Sequence, residues 1–127
     1  MKTTEMFENA LPGELNEDLR TLRSQLMDAQ QQLEAGVRRF ARGEHAYRKK
    51  RASVYLGTRG TVDERKAATD LSCEKEMLEA HISEGLMKAA LENVRNLRTM
   101  LSTIQTEAHN RRAELQLAYG PEPEERD

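Results

Sequence analysis

The feature that most constrains the fold is a seven-residue repeat of mainly apolar positions between residues 15 and 54. A helix that buries one seam against other helices has this a/d spacing. Glycines at two seam positions mark either a close approach of a neighbouring backbone or a hinge near residue 43, and the unbroken register favours close approach. The two interleaved sets are Leu19, Leu26, Leu33, Phe40, Tyr47 and Val54, and Leu15, Leu22, Ala29, Gly36 and Gly43.

A turn and a second helix are predicted after this repeat. Gly57 and Gly60 permit the positive φ values that a reversal of the chain needs. The sequence Thr-Val-Asp-Glu that follows matches a capping box. In it the Thr61 hydroxyl accepts a hydrogen bond from the N–H of Glu64, and the Glu64 side chain reaches back to the N–H of Thr61. We therefore expect the second helix to begin at residue 61.

The second helix carries apolar residues spaced three, four or seven apart. A repeated spacing of four around Gly85 resembles a stutter, which predicts a kink or a change of packing partner near residues 83–86. Gly120 and Pro121 then end the helix and leave an acidic tail. The apolar positions are Leu71, Leu78, Ile82, Leu86, Ala90, Val94, Leu97, Leu101, Ile104, Ala108, Leu115 and Ala118.

The predicted fold is all-α: a long antiparallel helical hairpin with coiled-coil character that assembles as an oligomer through its seams. The chain is 37% hydrophobic and has no Trp, two Phe and three Tyr, so a single copy builds only a thin core. The predicted segments are an N-terminal arm at 1–13, a helical domain at 14–119 and a disordered acidic tail at 120–127. Within the domain we expect a helix at 14–54, a turn at 55–60 and a helix at 61–119.

Several classes of function have no support in the sequence. The three histidines belong to no metal-binding motif, no nucleotide-binding glycine motif occurs, and the single cysteine, Cys73, has no nearby base. We therefore expect no enzyme activity, no metal and no cofactor. The absence of a signal-peptide pattern or a long apolar run predicts a cytoplasmic protein, in the host cytoplasm if a phage encodes it, with no membrane partner.

Charge is distributed unevenly along the chain. Residues 1–36 carry 3 basic and 7 acidic groups, residues 37–66 carry 10 and 3, and residues 67–127 carry 7 and 12. The net charges are −4, +7 and −5, although the whole chain has a net charge of only −2. A strongly basic middle of this kind attracts a polyanion even when the overall charge is slightly negative.

The basic segment predicts single-stranded DNA as a partner. Arg38, Arg42, His45 and Lys49 recur at helical spacing and form a stripe that could follow a phosphate backbone. Tyr55 lies beside it and could stack on an unpaired base. The candidate DNA-binding residues are Arg38, Arg39, Arg42, Arg48, Lys49, Lys50, Arg51, Tyr55, Arg59, Arg65 and Lys66.

Residues 50–60, Lys-Arg-Ala-Ser-Val-Tyr-Leu-Gly-Thr-Arg-Gly, resemble the core of the UvsY family of phage recombination mediators. About fifteen residues match well, and a looser helical correspondence reaches residue 112. The resemblance implies a ring-like homo-oligomer that binds single-stranded DNA, helps displace the single-strand-binding protein and loads a RecA-like recombinase. It matches Lys50 and Arg51 to the family's basic positions, and Tyr55, Gly57, Arg59 and Gly60 to its tyrosine and turn.

A second hypothesis is a structural or scaffolding coiled-coil protein, whose basic zone pairs with the acidic arms of neighbouring subunits. It explains the same charge pattern without DNA. This chain departs from the UvsY pattern in its stronger heptad repeat before residue 40 and in its acidic tail, and these departures bear on the oligomer number and the protein partners more than on DNA binding.

Overall fold

The computed structural model describes residues 12–119, and these residues form three helices and no strand. They are α1 (Pro12–Gly57), α2 (Val62–Ser72) and α3 (Glu74–Tyr119). The prediction of an all-α chain is confirmed. Helix α1 starts two residues earlier than predicted, at a proline, whose fixed φ suits the first helical position. The remainder of the predicted arm and the predicted acidic tail lie outside the described residues.

The described chain divides into two compact units. We call residues 12–28 and 94–119 the terminal unit, and residues 29–93 the central unit. The terminal unit has an aliphatic core in which Leu15, Leu19 and Leu22 of α1 are buried with Ile104 and Ala108 of α3. Half-buried residues of α3 pack around this cluster: Leu97, Met100 and Leu101.

The central unit packs small side chains between its helices. Its buried residues include Thr69, Cys73, Ala80 and Ser83. A Cβ placed on Gly36 would lie 3.6 Å from the Cα of Met87, and one on Gly43 would lie 4.0 Å from the Cα of Ala80. The two seam glycines are therefore places where the backbones of α1 and α3 come close.

The repeat on α1 identifies the buried face of that helix correctly. Every position of both sets from Leu15 to Val54 is buried or half-buried, and α1 continues without interruption through Gly36 and Gly43. The hinge considered near residue 43 is therefore absent from this helix. The single chain covers the seam fully at some of these positions and in part at the others.

The second predicted helix is interrupted at Cys73 and not near residues 83–86. Cys73 has φ −103° and ψ 9°, and it separates α2 from α3. The fully buried Thr69 donates a hydrogen bond from Oγ1 to the Arg65 carbonyl oxygen at 2.6 Å, a bond that bends helices. Gly85 lies within α3, where the helix continues.

The apolar positions predicted for the second helix, at residues 61–119, are buried as expected in one part and exposed in another. Ala90, Val94 and the predicted positions from there to Ala108 are buried or half-buried, whereas Leu115 and Ala118 are exposed. Leu71, Leu78, Ile82 and Leu86, also predicted as seam, are exposed too. At Gly43 the close approach brings the small residues Ala80 and Ser83 of α3 toward α1, so Leu78, Ile82 and Leu86 lie on the other side of that helix.

The turn between α1 and α2 follows the prediction in part. Gly60 has φ +126° and is the only residue with a positive φ among residues 12–119, whereas Gly57 is the last residue of α1. The Thr61 hydroxyl accepts a hydrogen bond from the Glu64 N–H at 3.2 Å, which confirms this bond of the predicted capping box. The turn therefore needs a glycine at one position and not at two.

Candidate nucleic-acid interface

A stripe of positive charge runs along the solvent side of α1. At 3.6 residues per turn, Arg38, Arg42, His45 and Lys49 fall on the side opposite the seam, and all four are exposed. They extend over about 17 Å at 1.5 Å per residue. We call these four residues the basic stripe. Its length is enough to contact several consecutive phosphates of an extended strand.

The sides of the basic stripe are lined by small residues. Ala35, Ala41, Ala46, Ala52 and Ser53 lie on either side of it on the helix surface and are all exposed. Short side chains leave the long Arg and Lys side chains free to reach outward and let a polymer approach the helix closely. The surface therefore favours an extended ligand that runs along α1.

Arg39 and Arg48 widen the stripe on its two sides. Arg48 forms an ion pair with Glu44 one turn earlier, and Arg38 lies 3.8 Å from Glu34 in the same i,i+4 relation. Exposed pairs of this kind contribute only about 0.2–1 kcal/mol and weaken with salt. Arg38 and Arg48 can therefore exchange their carboxylate partners for a phosphate at little cost in free energy.

Lys50 and Arg51 are used differently, because each holds a carboxylate on another helix. The Lys50 Nζ lies 3.0 Å from Glu76 Oε1 on α3, and the Arg51 guanidinium donates to Asp70 on α2. The hydrogen bond to Asp70 raises the pKa of Arg51, and the hydrogen bond from Lys50 lowers the pKa of Glu76. These two cations join the end of α1 to the helices that follow.

Tyr55 and Arg65 also form an internal contact. Arg65 donates to the Tyr55 carbonyl oxygen from Nε at 3.2 Å and from Nη2 at 2.8 Å. Its guanidinium carbon lies 4.2 Å from the centroid of the Tyr55 ring, in a cation–π arrangement. One face of the ring is covered in this way, so a base could stack only on the other face.

Arg59 and Lys66 are exposed, and among residues 12–119 neither has an ion pair or a hydrogen bond to another side chain. The same holds for Arg39, Arg42 and Lys49. The eleven predicted DNA-binding residues therefore form two groups. The larger group consists of cations directed to solvent, and the smaller group makes contacts between the helices. The separation depends on partners 10 to 26 residues away in the sequence, which periodicity does not reveal.

The structure also shows a groove that the sequence did not indicate. It has a volume of about 250 Å³ and lies in the central unit between α1 and α3, on the seam side of α1. Phe40 and Tyr47 of α1 and Met77 and His81 of α3 contribute to its walls. A groove between two helices depends on how they pair, so no local pattern could have located it.

Comparison with protein-family models, curated proteins and solved structures finds no match for this chain. Within residues 12–119, no group of three or more His, Cys, Asp or Glu side chains is placed to hold a metal ion. In the same range, no helix is both long enough and apolar enough to cross a bilayer.

Proposed function

We propose that this protein binds single-stranded DNA and acts as a mediator or accessory protein in phage-type recombination and repair. In this role it promotes the loading of a RecA-like recombinase where a single-strand-binding protein is present, and it acts in the cytoplasm. The DNA contact is supported by the basic stripe. The mediator role is supported by the resemblance of residues 50–60 to the UvsY core.

The observation that carries the proposal is that Arg42 and Lys49 lie exposed on one side of α1 without a partner among residues 12–119. Folding has not neutralised these charges, although it has paired Lys50 and Arg51 with carboxylates. Phosphate oxygens are the strong acceptors that match such cations, and each neutralised phosphate of a single strand releases counterions. The proposed primary contacts are Arg38, Arg39, Arg42, Arg48, Lys49, Arg59 and Lys66.

The proposal includes an antiparallel hairpin and an oligomer. Within the central unit, Gly36 approaches Met87 and Gly43 approaches Ala80, so rising numbers on α1 meet falling numbers on α3. This order supports the antiparallel arrangement there. An oligomer would present several copies of the basic stripe to one strand, so individually weak contacts would add as avidity.

Fluorescence anisotropy with a labelled oligonucleotide at several salt concentrations tests the DNA contact. We expect the double variant Arg42→Gln/Lys49→Gln to bind more weakly, with a salt slope smaller by about 1.4, since each single-strand phosphate contact contributes about 0.7. The free energy of unfolding should be unchanged, because both side chains are exposed and neither has a partner in the described part of the chain.

A matched control removes the same charge from the terminal unit. Arg20→Gln/Arg23→Gln changes two exposed arginines of α1 away from the stripe, so it should preserve the salt slope of the unmodified protein. Absence of binding at low salt would refute the proposed function. Equal losses in the two double variants would show that net charge, and not the stripe, determines the affinity.

A structural coiled-coil role is the second candidate. It is favoured by the apolar side chains that α3 exposes at Leu78, Ile82 and Leu86. A scaffold would associate through such a face and show no salt-dependent binding of DNA.

A further inference from the structure

Helix α3 has a second apolar face, directed away from α1. Leu78, Ile82 and Leu86 are 58%, 49% and 52% exposed, although each is a large aliphatic residue. Gly85 and Ala89 share this side of the helix and are also exposed, and a Cβ on Gly85 would meet nothing within 4 Å. We call these five residues the outer face. Contiguous exposed apolar surface of this kind marks an interaction site.

The outer face has the spacing of a short coiled-coil seam. Leu78, Ile82, Gly85 and Ala89 are separated by four, three and four residues, which places them at successive d, a, d and a positions. Lys75 precedes them at an a position, and Glu92 follows them at a d position. Two of these apolar residues are large and two are small. Such a seam has one antiparallel register in which each large side chain faces a small one.

In that register the residue numbers of facing positions add to 167. Ile82 of one copy faces Gly85 of the other, and Leu78 faces Ala89, so a large side chain meets a small one in each layer. Lys75 faces Glu92, so the outermost layers join a cation to an anion. Glu92 also takes part in an interaction within its own chain. Every layer of the pair is then complementary in size or in charge.

We propose that the outer face binds a second copy of this chain in an antiparallel, two-fold symmetric pair centred between Ser83 and Glu84. A two-fold interface requires that one surface complement itself, and this face does so at each layer. The outer face is thus the surface through which the oligomer of the proposed function would form. The pairing itself does not depend on DNA binding.

The pairing leaves the basic stripe free. The basic stripe lies on the solvent side of α1, while the outer face lies on the side of α3 away from α1 in the same central unit. The pair therefore presents one stripe on each of its two outer surfaces. DNA binding and self-association can in consequence be measured separately.

Sedimentation equilibrium of the full chain over a range of concentrations tests the pairing. The unmodified protein should form dimers, and Ile82→Gln should weaken dimerisation by roughly tenfold or more, because the pair buries that side chain twice. Leu117→Gln replaces an 86% exposed leucine outside the face and should leave the association constant unchanged. A protein that stays monomeric, or an Ile82→Gln variant that associates normally, would overturn the proposal.

A glycine substitution distinguishes this register from general adhesion of apolar surfaces. Gly85→Leu adds apolar surface to a face with free space around it, so non-specific association would increase. In the proposed register the new side chain collides with Ile82 of the second copy, and dimerisation should weaken about tenfold or more, as overpacked interfaces do. Stronger association of this variant would refute the register. Circular dichroism of each variant checks that the helices remain folded.

Discussion

The terminal and central units use the same two helices to build opposite kinds of interior. In the terminal unit, large aliphatic residues lie inside, and Leu15 and Ile104 are 0% exposed. In the central unit the interior holds Ala80 and Ser83, while Leu78, Ile82 and Leu86 of α3 are exposed. The first arrangement stabilises the fold by burying apolar surface. The second brings two backbones close and leaves apolar and charged surface available for partners.

The largest effect is expected from truncating a buried side chain in the interior of the terminal unit. Ile104→Ala should lower the free energy of unfolding by about 2–5 kcal/mol, because it leaves a cavity among Leu15, Leu19 and Leu22. Urea unfolding at low protein concentration measures this change. Leu117→Ala, in the exposed part of the same unit, should change stability by no more than about 0.5 kcal/mol. Similar costs for the two variants would contradict the core described for this unit.

The second largest effect is expected in the interior of the central unit. There a larger side chain should destabilise the protein, whereas in the terminal unit a smaller one does. Gly43→Leu should destabilise the protein by about 1–3 kcal/mol, because its side chain would meet the backbone at Ala80. Gly43→Ala should stabilise it by about 0.5–1 kcal/mol, since the added Cβ would lie in ordinary contact and alanine favours the helix. Thermal unfolding of both variants measures the contrast. A Leu variant as stable as the Ala variant would exclude close packing at residue 43.

The smallest effect concerns the ion pair between Lys50 and Glu76. The pKa of Glu76 is lowered in the folded protein, mainly by the hydrogen bond from Lys50 and then by a backbone hydrogen bond. A lowered carboxyl pKa contributes stability above the unfolded value of about 4.3, and this contribution is lost as the pH falls through the folded value. Glu76→Gln should therefore be less stable than the unmodified protein at pH 7, and the difference should shrink below pH 4. Chemical unfolding across this range measures it, and a difference that does not vary with pH would contradict the pair.

The predictions from sequence succeed where one helix determines the answer. The repeat on α1 identifies its buried side from Leu15 to Val54, because the periodicity of a helix is local. The Thr61 cap is local for the same reason. The predictions fail on α3 between Leu78 and Leu86, where small and large residues occupy opposite sides of one helix. Periodicity finds both sides and cannot tell which one turns toward α1.

The same limit applies to the candidate site. The basic stripe follows from helical spacing alone, so Arg42 and Lys49 could be placed together on one side of α1. The pairing of Lys50 with Glu76 and of Arg51 with Asp70 joins residues 26 and 19 positions apart, and it needs the helices in place. The interruption at Cys73 likewise accompanies the burial of Thr69 by its neighbours.

By itself, the sequence determined the helical class, the seam of α1, the capped start of the second helical segment and the separation of charge along the chain. These properties depend on residues within a turn or two of one another. Only the tertiary structure decided which side of α3 is buried, which cations are neutralised and which apolar residues stay exposed. These outcomes depend on how closely two distant backbones approach, and Gly36 and Gly43 set that distance in the central unit.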